Sequence, residues 1–362
     1  MRPIHAWIVA ILLVGVFSTP GPGFAQVEVS ARAATIRIGG RLHFQMASSS
    51  APDREVPDFF IRRARLVADI EITDFLDGRL QPAFVTGKVL LQDAYFRLKF
   101  DPAFRLSFGQ FKQAFDLFEL TSSTLINVVE RSGDIPGVSV CNGVSGICST
   151  GRFSARLQYG GRDTGVRADG SFGGGKWTYA ATVTNGEGIF ENADENGRKS
   201  TAARLTFEPV DGLSVSANVN AHDYAFEDGD EEGEATATAW GADLQWGGFH
   251  DGLVLQVGLL GGGNWKVLDE GNDPSSFLTT QVIGSYYHAL AEGGRLEGIE
   301  PVFRFSWGDP DTDAQDDAGV LVTPGFNIYV FGRNRINANL DVWMPQEGDT
   351  EWSLRAMTYL FF

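Results

Sequence analysis

Apolar and polar residues alternate along most of the chain with the period of two that is typical of β-strands. Five segments show this alternation most clearly, and in each of them the polar residues fall on a single face. Their apolar residues are Ile36, Ile38, Leu42 and Phe44; Ala64, Leu66, Ala68, Ile70 and Ile72; Ala94, Phe96, Leu98 and Phe100; Phe153, Ala155, Leu157 and Tyr159; and Leu213, Val215, Ala217 and Val219. A charged residue facing lipid costs about 2–4 kcal/mol at the bilayer midplane. The pattern therefore predicts strands whose apolar residues face lipid and whose charged residues face a lumen.

Short turn-forming segments and longer polar stretches separate the predicted strands. The tight turns contain Pro, Gly, Asp or Asn and lie at 74–78, 100–103, 208–212 and 331–334; the polar stretches lie at 185–200, 225–235, 269–276 and 309–319. About sixteen strands fit between them, an even number at which a barrel encloses an aqueous channel. Because lipid satisfies no backbone hydrogen bond, strands cross a membrane only as a closed barrel. We therefore predict an all-β fold, a transmembrane antiparallel β-barrel of about sixteen strands.

Both ends of the chain support a place in the outer membrane. The last residues, from Leu354 to Phe362, form an amphipathic strand with a terminal aromatic residue, as expected of the strand that closes such a barrel. At the other end, Arg2 precedes a short apolar run and a small-residue cleavage site. We therefore expect a signal peptide at 1–25 and a barrel domain at 26–362, with a single-pass anchor as the alternative for the N-terminal segment.

Composition and charge narrow the alternatives. The chain is 43% apolar, yet its mean hydropathy is −0.09, because lipid-facing and lumen-facing residues cancel in a barrel. The net charge of −17 argues against a nucleic-acid partner and suits a surface bridged to lipopolysaccharide by divalent cations. A soluble sandwich or propeller remains the alternative fold. Aromatic residues near strand ends are expected in interfacial girdles, among them Trp240, Trp246, Trp343, Trp352 and Tyr359.

Few motifs carry other chemistry. Cys141 and Cys148 are expected to form a disulfide in an oxidising periplasm, with free thiols or a metal pair as alternatives. Two acidic runs, at 228–234 and 309–313, resemble calcium loops but lack required ligand or Gly positions, so solvated loops are the simpler interpretation. No catalytic triad or zinc motif is present. We therefore expect no enzyme activity, no cofactor and no metal site.

Several segments resemble the phosphate-selective porin O and P family over almost the whole chain after residue 25. They are Phe60-Ile-Arg-Arg-Ala-Arg-Leu66, Gln92-Asp-Ala-Tyr-Phe96, Leu106-Ser-Phe-Gly-Gln-Phe-Lys-Gln-Ala-Phe115, Leu120-Thr-Ser-Ser123, Val129-Glu-Arg-Ser132, Glu300-Pro-Val-Phe-Arg-Phe-Ser306, Gly325-Phe-Asn-Ile-Tyr-Val330 and Asn334-Arg-Ile-Asn-Ala-Asn339. The resemblance implies a trimeric outer-membrane channel of sixteen strands, with a loop folded into the lumen as its constriction. It also implies a basic lining that passes anions.

The candidate lining residues are cations on lumen-facing phases or in the matched motifs. Lys112 is the first candidate for the constriction and Arg131 the second; the others are Arg37, Arg41, Arg63, Arg65, Arg97, Lys99, Arg152, Arg156, Arg204, Arg304 and Arg355. Guanidinium groups in a lumen either pair with carboxylates across it or bind phosphate through their planar fork. The sequence leaves both roles open.

The sequence thus predicts passive diffusion of small hydrophilic solutes, with phosphate, pyrophosphate or other anions as the specific version. A barrel enzyme is one alternative, and an adhesin or anchor without transport is another. Expected partners are outer-membrane lipid and lipopolysaccharide, small solutes or anions, the barrel-assembly machinery and two further copies of this chain in a homotrimer.

Overall fold

The computed structural model describes residues 27–31, 34–85, 87–189, 194, 197–228, 231–269, 272–291 and 293–362; the expected signal peptide at 1–25 lies outside them. The strands are β1 (Val27–Ala31), β2 (Ala34–Ser49), β3 (Asp58–Glu71), β4 (Leu76–Val85), β5 (Lys88–Asp101), β6 (Phe104–Lys112), β7 (Arg162–Phe172), β8 (Trp177–Thr184), β9 (Ser200–Val210), β10 (Leu213–Asp228), β11 (Glu231–Trp246), β12 (Leu253–Leu268), β13 (Pro274–Tyr286), β14 (His288–Ala289), β15 (Gly298–Asp309), β16 (Gly319–Phe331), β17 (Asn334–Pro345) and β18 (Glu351–Phe361). The helices are α1 (Leu117–Leu120) and α2 (Thr150–Arg156). Within these residues no helix is long and apolar enough to cross a membrane.

The strands form one closed antiparallel sheet. Each long strand pairs with the next, and β18 pairs with β2, where Leu360 lies opposite Leu42. The short strand β1 pairs with the beginning of β2, and the two-residue β14 pairs with β15 beside β13. Among the described residues the wall therefore has sixteen long strands, and the predicted barrel is confirmed.

The predicted alternation sets which residues face lipid. Leu42 and Phe96 are 38% and 50% exposed on the outer surface, whereas Arg41 and Asn218 are buried on the lumen side. The aromatic prediction is right for some positions: Trp240, Trp246 and Trp352 are exposed on the outer surface. It is wrong for Trp343 and Tyr359, which are buried in the lumen, because they lie one residue out of phase with the lipid-facing residues of their strands.

One predicted strand is absent. Residues 150–156 form α2, and the following chain enters β7 only at Arg162. Three of the four apolar residues assigned to that strand, Phe153, Leu157 and Tyr159, are fully buried inside the barrel. The fourth, Ala155, is exposed on the lumen loop. A short alternating run does not distinguish a strand from a buried helix, because both supply apolar side chains to a core. Arg152 and Arg156, predicted as wall residues, therefore belong to a loop.

The two ends of the barrel differ in their connections. Both described chain ends lie at the end with the shorter turns, such as 173–176, where three consecutive glycines with positive φ join β7 to β8. The opposite end carries the connection between β6 and β7, residues 113–161, which we call the lumen loop because it folds into the barrel. Its apolar side chains pack with Phe277, Leu321 and Trp343 of the wall into the main buried cluster.

Candidate functional site

The lumen loop is attached to one wall of the barrel by buried arginines. Arg304 donates from Nη1 to the carbonyl oxygens of Glu130 (2.8 Å) and Arg131 (3.0 Å). Arg335 donates to the carbonyl of Ile126 at 2.7 Å, and Arg355 to the carbonyl of Asp134 at 2.9 Å. The three arginines lie on β15, β17 and β18 and are each at most 2% exposed. This wall therefore uses its guanidinium groups to hold loop backbone.

A carboxylate attaches the same loop to the neighbouring strand. Glu130 accepts two hydrogen bonds from Arg62, at 2.6 and 3.1 Å, and lies 3.5 Å from Arg63. Residue 62 is the extra residue of a β-bulge between β2 and β3, which lets adjacent arginines reach one carboxylate. Burial would raise the pKa of Glu130, but Arg62 and Arg63 hold it well below its usual range. Two of the segments that carry the family resemblance therefore meet in one ion-pair network.

The short helix α1 begins the loop and is capped at both ends. The Asp116 carboxylate accepts from the backbone N–H groups of Phe118 and Glu119. At the other end, the ammonium of Lys112 donates to the carbonyls of Glu119, Leu120 and Thr121. Burial and the neighbouring Glu119 raise the pKa of Asp116 to about 6.

Gly109 explains part of the matched segment Gly-Gln-Phe-Lys. Its φ of 128° lies in the region that favours glycine, and a Cβ there would collide with the carbonyl oxygen of Ala94 on β5. Glycine at this position lets β5 and β6 approach closely just before the chain turns into the lumen.

The adjoining wall, β2 to β7, lines a strongly basic cavity of about 410 Å³. We call it the arginine cavity. Ten basic side chains contribute to it and only two acidic ones. The basic residues are Arg41, Arg63, Arg65, Arg79, Arg97, Arg105, Lys112, Arg131, Arg162 and Arg167; the acidic residues are Asp93 and Asp169.

Some of these cations are neutralised by carboxylates. Asp93 accepts two hydrogen bonds from Arg162, at 2.6 and 3.3 Å, and Asp169 is shared by Arg105 and Arg167. Four more carboxylates reach the cavity's cations without lining it: Asp69, Asp77, Glu119 and Glu130. The ten cations therefore still outnumber these six carboxylates, although the whole chain is acidic.

Three guanidinium groups at the cavity keep unsatisfied donors. Within the described residues, Arg41 Nε, Arg63 Nη1 and Arg65 Nε are buried and have no hydrogen-bond partner. Arg41 and Arg65 also lie directly opposite each other on β2 and β3. Like charges in such a cross-strand pair destabilise a sheet, and an unsatisfied buried donor adds about 1–3 kcal/mol. An oxyanion bound between these groups would relieve both costs.

Two further cavities adjoin the arginine cavity. The outer cavity, about 360 Å³, shares Arg162 with it and is also lined by Arg156 and Lys266. The inner cavity, about 480 Å³, shares Leu120 and Ser122 with it and extends to the turn at 247–252. The outer cavity lies toward the loop end, whereas the arginine cavity, through Arg105, and the inner cavity both reach toward the end with the shorter turns.

The structure separates the predicted lining residues into different environments. The arginine cavity is lined by Lys112, Arg131, Arg41, Arg63, Arg65 and Arg97. Lys99 pairs with Asp77 at 3.3 Å, and Arg37 lies near the rim, 45% exposed and paired with Glu71. Arg152 and Arg304 do not line an open space, because they are buried against Asp134 and Asp341. Arg204 pairs with Asp243 at the inner cavity, and Arg156 is at the outer one.

Lys112 and Arg131 hold the loop as well as lining the cavity. The Lys112 ammonium is bound by three carbonyls, as described above. Arg131 donates to the carbonyls of Phe118 and Thr121, both at 2.6 Å, and lies 3.4 Å from Glu119. The two leading sequence candidates therefore have fewer free donors than Arg65.

Four cavity arginines did not appear among the sequence candidates: Arg79, Arg105, Arg162 and Arg167. The period-two signal was available for Arg105, which lies between Phe104 and Leu106. Arg162 and Arg167 lie on β7. This strand follows directly after the segment 152–159, to which the sequence analysis incorrectly assigned a strand.

Cys141 and Cys148 form a disulfide inside the lumen loop, with Cα atoms 5.0 Å apart. Both residues are buried. Among the residues that the structure describes, no three His, Cys, Asp or Glu side chains are grouped as metal ligands would be.

Comparisons with known proteins agree with this architecture. The family model described as phosphate-selective porin O and P matches residues 36–241. The trimer form of OmpT, an outer membrane protein of Vibrio cholerae, is similar with a TM-score of 0.59 at 14% identity, covering 91% of this chain and 100% of that one. OmpF of Salmonella typhi, in complex with daunomycin, also gives a TM-score of 0.59, at 12% identity over 92% of this chain and 100% of the other. The sequence has no significant match among curated proteins. Because the family model spans more than half of the chain, the protein belongs to the phosphate-selective porin O and P family of outer-membrane channels, which are not enzymes.

Proposed function

We propose that this porin passes small hydrophilic anions by passive diffusion and that the arginine cavity binds phosphate-like oxyanions on the way. The excess of ten cations over the six carboxylates that line the cavity or pair with these cations carries the proposal. Charged side chains within about 8 Å of a solute are poorly screened at physiological ionic strength, so the local excess determines ion preference more than the net charge of the chain.

Arg65 is the side chain best placed to bind the anion. It lines the cavity, and its Nε has no hydrogen-bond partner among the described residues. Its directly paired residue on the neighbouring strand β2 is Arg41. A guanidinium group presents two parallel N–H donors to a phosphate, and each charge-assisted hydrogen bond contributes about 1.5–3 kcal/mol. Loss of this group should therefore weaken phosphate binding roughly tenfold or more.

Planar-bilayer recording tests the proposal. The reversal potential under a KCl gradient should show anion preference, and added phosphate should block the chloride current. Arg65→Gln should raise the blocking concentration roughly tenfold, whereas the matched control Arg37→Gln, at an exposed rim pair, should leave it unchanged. A cation-selective wild-type channel, or equal effects of the two variants, would contradict the proposal.

We further propose that the protein assembles as a homotrimer, as the similarity to the trimer form of OmpT suggests. A band of exposed apolar residues, including Leu66, Phe96 and Phe303, covers the outer surface and suits lipid and neighbouring copies. A heat-modifiable oligomer of three chains on electrophoresis is the expected result. A monomer under native conditions would contradict this assembly.

Export and insertion complete the proposal. Residues 1–25 would be cleaved as a signal peptide, and the C-terminal strand would be recognised by the barrel-assembly machinery. Phe362 pairs with Gly40 through backbone hydrogen bonds, where β18 meets β2. Removal of Phe362 should therefore lower the amount of protein in the outer membrane more than it lowers single-channel conductance. Normal outer-membrane levels of the truncated chain would exclude this role.

A further inference from the structure

The inner cavity is unusually apolar for the lumen of a channel. Five of its lining residues have apolar side chains, although side chains facing the lumen of an aqueous barrel are expected to be polar. They are Leu117, Leu120, Leu125, Phe249 and Val254. They come from three separate parts of the chain: the lumen loop, the turn at 247–252 and β12.

The fold of the lumen loop presents two of these leucines to the cavity. Leu117 and Leu120 are three residues apart in α1, so they lie on one face of the helix. The other side of α1 is buried, because Phe118 packs with Ile126 and Val302. The caps at both ends of α1 hold this orientation, and the half-exposed leucines therefore line the open space.

Four polar side chains that line the inner cavity are hydrogen-bonded to neighbouring side chains. Arg204 makes two hydrogen bonds of 2.6 Å to Asp243, which neutralise its charge. Gln256 donates to Gln245 at 3.1 Å, and Asn127 donates to Ser285 at 2.7 Å. The cavity therefore offers a solute mainly apolar contact.

This arrangement contrasts with the arginine cavity, which adjoins it along Leu120 and Ser122 and keeps unsatisfied guanidinium donors. Each space has a volume typical of small-molecule sites, about 300–1,000 Å³. A solute with an anionic group at one end and an apolar body at the other complements both.

We infer that the channel binds amphipathic organic anions, of which aryl phosphate monoesters are the simplest example. The oxyanion contacts the arginine cavity and the ring lies between Phe249 and the leucines of the lumen loop. This inference rests on the proposed function, because it uses the same arginines, and it adds the substrate class that inorganic phosphate alone does not reveal.

Block of the chloride current in planar bilayers tests the inference with three probes: inorganic phosphate, phenyl phosphate and glycerol phosphate. The last two have the same anionic group, but only phenyl phosphate has an apolar body. Phenyl phosphate should block at a concentration about tenfold lower than glycerol phosphate, the factor expected when roughly 55 Å² of apolar surface leaves water.

Substitutions locate the apolar contact. Phe249→Ser should abolish the advantage of phenyl phosphate and leave block by inorganic phosphate unchanged, which also shows that the variant is folded. Leu125→Ser provides a second variant, on the lumen loop instead of the turn at 247–252. Ile189→Ser is the matched control, because Ile189 lines the outer cavity, and it should retain the full advantage.

Two failures are distinguishable. If inorganic phosphate blocks the wild-type channel but phenyl phosphate gains nothing over glycerol phosphate, or if both cavity variants keep the advantage, this inference alone is wrong. If inorganic phosphate does not block the channel, the proposed function fails, and the inference that rests on it fails too.

Discussion

Replacing Glu130 with Gln tests whether one buried carboxylate holds the lumen loop in place. The side chain is 7% exposed and binds Arg62 through two hydrogen bonds, with Arg63 at 3.5 Å. Gln keeps the shape of Glu but removes its charge. The substitution therefore leaves two guanidinium groups beside a neutral amide.

The expected cost follows from burial. Removing one partner of a buried ion pair destabilises proteins by about 3–5 kcal/mol. Because Arg62 is 40% exposed, solvent screens part of this interaction, and we expect about 3 kcal/mol, the lower end of that range. The main-chain anchors from Arg304 remain, so the barrel should still form while the loop becomes more mobile. Single-channel conductance should then rise and become noisier.

Glu71→Gln is the matched control. Glu71 makes the same kind of ion pair with Arg37 at 3.1 Å, but the two side chains are 41% and 45% exposed. Exposed pairs contribute about 0–1 kcal/mol. Urea unfolding of the folded protein in detergent measures the free energy of unfolding of both variants. Equal losses in Glu130→Gln and Glu71→Gln would refute the argument that this network fixes the loop.

The pH dependence gives a second check on the same residue. The pKa of Glu130 is lowered in the folded protein from its ordinary value of 4.5. Its stabilisation is therefore fully present above pH 4.5 and is lost as the pH falls toward the folded-state pKa. The difference between wild type and Glu130→Gln should shrink by about 1.4 kcal/mol for each pH unit below 4.5. A constant difference down to pH 3 would show that the charge of Glu130 is not responsible.

Three further substitutions follow from the loop geometry. The ammonium of Lys112 binds the last carbonyls of α1. Lys112→Met should therefore lower the folding yield and broaden the conductance distribution, while the reversal potential still shows anion preference. A cation-selective variant would instead show that Lys112 sets selectivity. Asp116→Asn should remove a pH-dependent part of stability. The pKa of Asp116 is raised to about 6 in the folded protein, so wild type loses stability as the pH rises from about 4 through 6. The free energies of urea unfolding at pH 4 and pH 8 should therefore differ less in the variant than in wild type. The disulfide closes only a short loop, because Cys141 and Cys148 are seven residues apart in sequence. Replacing both with Ser should therefore lower the free energy of unfolding by about 2 kcal/mol and leave ion preference unchanged. An altered reversal potential would contradict this prediction.

The barrel was predictable because lipid imposes a strict rule on the wall. In β5 and β10 the apolar residues face outward and the polar residues inward, as the alternation predicts. A shift of one residue would bring the charges of a strand such as β5 to lipid at a cost of about 2–4 kcal/mol each at the bilayer midplane. Strand phase is therefore encoded locally and can be obtained from the sequence.

The same rule fails inside the lumen. Phe153 and Leu157 have the apolar character of lipid-facing residues, but they pack against Phe277 and other wall side chains in the interior. Trp343 follows the same logic, since it lies on the lumen phase of its strand and is buried by the loop. The sequence indicates that these residues avoid water, but only the path of the lumen loop decides whether lipid or protein covers them.

The strand pattern does not show which lumen-facing arginines anchor the loop and which line the arginine cavity. Arg65 and Arg304 occupy equivalent lumen-facing phases, and nothing in their immediate sequence separates the proposed anion-binding group from an anchor. The lumen loop separates them, because Arg304, Arg335 and Arg355 on β15, β17 and β18 each donate to its carbonyls, although Arg335 Nε has no partner among the described residues. The arginines of β2 to β7 meet fewer loop acceptors and keep buried donors without partners among the described residues. The asymmetric position of the loop therefore creates the basic cavity, and a loop held on the other wall would leave a different set of arginines to face the solute.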